Sequence, residues 1–145
     1  ENDDSVIPSS GSAMARNLFR LGRYDSQFNW IERSDRMLIS AWENSSNIRR
    51  ATGWASVLLW RASHFHELAI SASNAEDIHQ ARQAIDSNFY PQIILAGGFN
   101  SPEQPKWMEG KYFESGPARY FICQEGACKL PVESLKDVDN LLKAE

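Results

Sequence analysis

Hydrophobic and polar positions divide this chain into a helical first half and a mixed second half. Met14, Leu18 and Leu21 recur at helical spacing with Ala15 and Phe19 beside them, which predicts a helix capped at Ser12 and stopped at Gly22. Phe28, Ile31, Leu38 and Trp42 share one face of a second helical pattern, with Glu32, Arg33 and Arg36 off it. Asn44-Ser45-Ser46-Asn47 reads as a turn, with Asn47 a candidate cap. A third helix is expected over 48–65, burying Ala51, Ala55, Leu58, Ala62 and Phe65. Short links favour antiparallel neighbours, so this half reads as helical hairpins.

The pattern changes near His66. Residues 67–71 (ELAIS) suit a short strand. Asn74 can cap a helix with Glu76 and Asp77 in its first turn and Ile78, Ala81, Ile85 and Phe89 on one face. The apolar run at 93–96 suits a strand covered on both sides. Strand, helix and strand within so few residues predict a βαβ unit. Residues 97–117 read as loop, with Gly97-Gly98 a turn. Residues 118–123 read as strand, Gln124-Glu125-Gly126 as a turn, and Ser134 as the cap of a last helix that turns Val138, Leu141 and Leu142 inward. The expected fold class is α+β: antiparallel helical hairpins over 1–66, then a small βαβ-containing α/β unit over 67–145.

Composition narrows the function classes. The chain has 145 residues, 42% of them hydrophobic and 23% charged, as ordinary globular domains have. No apolar run reaches the roughly 20 residues needed to cross a bilayer, so no membrane association is expected. Fifteen basic residues against 19 acidic ones give a net charge of −4, and the densest basic cluster is Arg49-Arg50. That is a poor footprint for nucleic acid, and no nucleic-acid partner is expected. No secretory signal opens the chain, and the expected compartment is the cytoplasm. There is no initiator Met, so the expectation is either that something was cleaved away or that this is a piece of a longer protein.

Candidate chemistry is sparse. His64 and His66 would need further ligands to hold a metal, and no metal or cofactor is expected. Cys123 and Cys128 are spaced C-x4-C across a strand–turn–strand, which leaves open reduced buried thiols, a disulfide or redox pair, and half of a metal site. Ser73-Asn74-Ala75 lies where a βα loop could take phosphate, but the Gly-rich fingerprint is missing and Glu76 and Asp77 would repel an anion. Trp54, Trp60 and Arg61 sit on one helix, where aromatic positions are more often core than a sugar-stacking surface. No catalytic constellation is visible.

Three segments together resemble a known family. The first is Asp4, Pro8, Ser9, Ser12, Ala15, Asn17 and Leu18 within 4–18. The second is the strand–helix–strand of 67–97. The third is Ala118, Cys123, Cys128 and Pro131 within the tail 118–132. They are similar to the C-terminal part of the thioredoxin-domain-containing, spermatogenesis-associated protein family, with Gly11 where that family usually has Asn. The resemblance implies the end of an (α/α)6 toroid, like six-hairpin glycosidases and N-acylglucosamine 2-epimerase, followed by an α/β appendage. It implies a non-catalytic portion whose partner is the remainder of its own longer chain. The alternative it implies is part of a carbohydrate-binding or sugar-epimerase-like cavity, with Asp4, Pro8, Ser9, Ser10 and Ser12 on the rim.

Overall fold

A computed structural model describes residues 3–4, 6–44, 50–98, 106–112 and 115–143. It is an α+β chain that divides into two compact units, Glu1–Ser63 and His64–Glu145. The described residues form five α-helices and four strands.

The first unit holds α1 (Ser10–Tyr24), α2 (Phe28–Asn44) and α3 (Thr52–Ala62). Ser9, not Ser12, caps α1: its hydroxyl accepts from the Ser12 N–H at 3.1 Å. Gly22 does not stop α1 but lies inside its last turn. A Cβ there would sit 2.6 Å from Ile31 Cγ1 and 3.0 Å from the Gln27 carbonyl oxygen. The glycine therefore serves the close approach of α1 and α2, and the chain reverses through Ser26 at φ 54°. Ala15 and Ser34 meet where the Ser34 hydroxyl donates to the Ala15 carbonyl at 2.8 Å. Together with the Gly22–Ile31 contact, this makes α1 and α2 antiparallel. Phe19 stacks on Trp60 with ring centroids 5.6 Å apart. Arg61 pairs with Asp35 at 2.8 Å, tying α3 to α2.

The buried faces differ from the pattern-based ones. Ile31 and Leu38 are buried on α2, but Ser34 and Ala41 complete the face, and Phe28 and Trp42 are exposed. On α1, Ser12, Ala15, Phe19 and Gly22 face inward while Met14 and Leu21 face out. On α3 the expected face is reversed: Gly53, Trp54 and Val57 are buried, and Ala55, Leu58 and Ala62 are exposed. A helix apolar nearly all round carries no readable face. Phe65 is buried beyond the helix end. Asn44, the first residue of the expected turn, is the last of α2, and the rest of that turn with the Asn47 cap lies outside the described residues.

The second unit is a four-stranded mixed sheet in the order β2-β1-β3-β4. Its strands are β1 (His66–Ser71), β2 (Ile93–Gly98), β3 (Arg119–Gln124) and β4 (Ala127–Cys128). β1 and β2 are parallel neighbours joined through α4 (Ala75–Asp86), which is a βαβ unit. β3 runs antiparallel to β1. Leu68 and Ile70 of β1 and Tyr120 and Ile122 of β3 point to one face. There Ala81 and Ile85 of α4 and Val138 of α5 (Leu135–Lys143) close the core. β1 is central and buried along its whole length. β2 is an edge strand and only half buried, with Ile94 its one fully buried large side chain. Gly97 and Gly98 belong to β2 and form no turn. Phe89 lies past the end of α4 and is exposed. Within the expected loop, a short 3-10 turn over Lys106–Met108 buries Trp107 and Met108. Ser134 caps α5, its hydroxyl accepting from the Asp137 N–H at 3.2 Å.

Candidate functional site

Of the five rim candidates, the structure brings three together. Asp4 is 2% exposed. Its Oδ1 accepts from the Ser9 N–H at 2.7 Å and the Ser12 hydroxyl at 2.6 Å, and its Oδ2 accepts from the Gly53 N–H at 2.6 Å. The Asp4 N–H donates to the Arg50 carbonyl at 2.7 Å. Burial pushes the carboxyl up, but the hydrogen bonds from Ser12, Ser9 and Gly53 together hold it below its ordinary 3.8. One ionised carboxylate thus joins the N-termini of α1 and α3, where the helix dipoles favour a negative charge. Pro8 and Ser10 lie outside this cluster and are exposed.

The two cysteines face each other across a hairpin. Glu125 (φ 51°) and Gly126 (φ 85°) form a two-residue turn of the type that suits twisted strands. Cys123 pairs with Cys128, and the flanking Lys129 N–H donates to the Ile122 carbonyl at 2.9 Å. Cys123 and Cys128 therefore occupy a non-hydrogen-bonded position, where opposed side chains come closest. They are joined by a disulfide, the Cα atoms 3.9 Å apart. Cys123 is buried and Cys128 exposed.

The histidines separate. α3 ends at Ala62, so neither His64 nor His66 belongs to a helix end. His64 Nδ1 lies 3.3 Å from Gln124 Nε2, and His66 is buried on β1. Asn74 caps α4, accepting from the Asp77 N–H at 2.9 Å, and so occupies the site where a phosphate would bind. Glu67, beside Cys123 in the sheet register, is buried. Burial lowers the Lys111 amine, against which the charge of Glu67 works. The Lys111 amine donates to the Trp107 carbonyl and lies over its ring.

Two concavities open beside α2. One, about 400 Å3, is apolar and lined by Leu38, Ile39, Trp42, Glu43 and Leu58. The other, about 430 Å3, is lined by Arg33, Arg36, Met37, Ser40 and Trp54. The sequence pattern placed Arg33 and Arg36 off the apolar face, but Trp54 comes from another helix, and no local signal joins the three.

No family model, no curated protein and no solved structure matches this chain. No described helix is long and apolar enough to cross a membrane. Among the described residues, no group of three or more His, Cys, Asp or Glu could hold a metal ion.

Proposed function

We propose that this chain is the non-catalytic C-terminal portion of a longer protein of the thioredoxin-domain-containing, spermatogenesis-associated family its motifs resemble. In this reading α1–α3 close a six-hairpin helical toroid, and the sheet unit is its appendage. The observation that carries it is the outward apolar surface of the three helices. Met14 and Leu21 of α1, Ile39 and Trp42 of α2, and Leu58 and Leu59 of α3 are all exposed. Large exposed apolar surface marks a face built to be covered. The covering partner is the remainder of the same polypeptide. A carbohydrate rim, the alternative function, would use the exposed Pro8 and Ser10, because Asp4, Ser9 and Ser12 are buried and hydrogen-bonded within the protein.

The test is binding in trans. The 145-residue chain should bind anilinonaphthalene sulfonate. The upstream part of its parent polypeptide, expressed separately, should form a one-to-one complex with it and displace the dye. A chain that leaves the dye dark and ignores the upstream part overturns the proposal.

A further inference from the structure

We infer that the cleft lined by Arg33, Arg36, Met37, Ser40 and Trp54 binds a small molecule carrying a phosphate or carboxylate on an apolar body. Arg33, Arg36, Met37 and Ser40 are spaced i, i+3, i+4 and i+7 along α2 and so form one stripe. Trp54, itself buried, completes the cleft from α3. The volume of about 430 Å3 is that of a small-molecule site.

Charge selects the occupant. The protein has a net charge of −4, yet among the described residues no carboxylate lines this cleft. Neither Arg33 nor Arg36 makes an ion pair or hydrogen bond among the described residues. The neighbouring Asp35 is engaged by Arg61 instead. Two guanidinium groups one turn apart repel each other, and an oxyanion between them turns that repulsion into attraction. Their planar forks match the oxygens of phosphate or carboxylate, and the Ser40 hydroxyl adds a third polar group along the same stripe. Half-buried Met37 supplies accessible apolar surface, and Trp54, almost wholly buried, contributes a small part of the lining. An inorganic anion would use only half of this lining.

Isothermal titration of the 145-residue chain with phenyl phosphate, benzoate, inorganic phosphate and phenol tests the site. Phenyl phosphate or benzoate should bind saturably, at least tenfold tighter than inorganic phosphate or phenol. The stronger of the two tells phosphate from carboxylate. The R33Q/R36Q double variant should weaken binding at least tenfold. R20Q, which removes an exposed arginine from α1, should leave it unchanged. Arg33 and Arg36 are exposed, so their loss should spare the fold, and an unchanged circular dichroism spectrum confirms this. In spectra of the 15N-labelled chain, the Trp54 indole signal should move on titration. Absence of saturable binding by the unmodified chain overturns the inference, as does binding that R33Q/R36Q leaves intact.

Discussion

Asp4 shows how one side chain can set a local architecture. Removing its carboxylate leaves the Ser9 N–H and the Gly53 N–H without their acceptor in a buried place and leaves the Ser12 hydroxyl only the Ser9 carbonyl. Asp4→Ala should therefore cost about 3 kcal/mol, since hydrogen bonds to a charged group are worth roughly 1.5–3 kcal/mol each and do not add fully. Urea denaturation measures this, and a loss under 1 kcal/mol would contradict it. The carboxyl's folded-state pKa lies below 3.8, so its contribution is present above the unfolded value and is lost as pH falls through the folded one. Stability of the unmodified chain should thus drop below about pH 4, and the Asp4→Ala variant should lose less over the same window. Gly53 answers to the same cluster. A Cβ there would lie 2.6 Å from the Ser12 hydroxyl oxygen and 3.1 Å from Asp4 Oδ2. Gly53→Ala should destabilise by about 1–3 kcal/mol.

At the scale of elements, two devices set how segments meet. Gly22 lets α2 approach the last turn of α1. Gly22→Ala gains up to about 1 kcal/mol of helix propensity. It also places a Cβ 3.0 Å from the Gln27 backbone oxygen and forces Ile31 aside. The expected outcome is a lower melting temperature, and a stabilised variant would show that the helices simply shift apart. The disulfide pins the β3–β4 hairpin. It closes a loop of sequence separation 5, for which the chain-entropy account gives about 2 kcal/mol. Cys128→Ser should lower stability by about that much and leave the hairpin formed, because the turn and the Lys129–Ile122 hydrogen bond do not depend on sulfur. Amide exchange of Lys129 distinguishes the outcomes. Tyr90 plays a similar linking role, its hydroxyl donating to Asp139 of α5. Burial, the hydrogen bond and the Asp139 charge push that phenol up to about 12. The unfolded phenol ionises near 10, so this link should weaken as pH rises from 10 to 12, and Tyr90→Phe should flatten that loss.

For the whole molecule, the sequence made the order of elements legible but left their faces undecided. Strand β1, the Asn74 and Ser134 caps, strand β3 and its turn could be read locally, because caps, turns and strands depend on residues a few positions apart. The buried side of α3 could not. Val57, Leu58, Leu59 and Trp60 are apolar in succession, and only packing onto α1 and α2 chooses among them. The edge position of β2 was hidden for the same reason: an apolar run reads alike in a central strand and a half-covered one. The 3-10 turn that buries Trp107 and Met108 has no periodicity to announce it. The Asp4 cluster joins residues up to 49 positions apart, and the arginine cleft joins two helices. By itself the sequence determined the α+β class, the helix-then-βαβ order and the apposition of the cysteines, all from local stereochemistry. Tertiary structure alone decided which faces are buried, which serine caps α1, where the Asp4 carboxylate is held and which arginines share a cleft, because those depend on groups that meet only once distant segments pack.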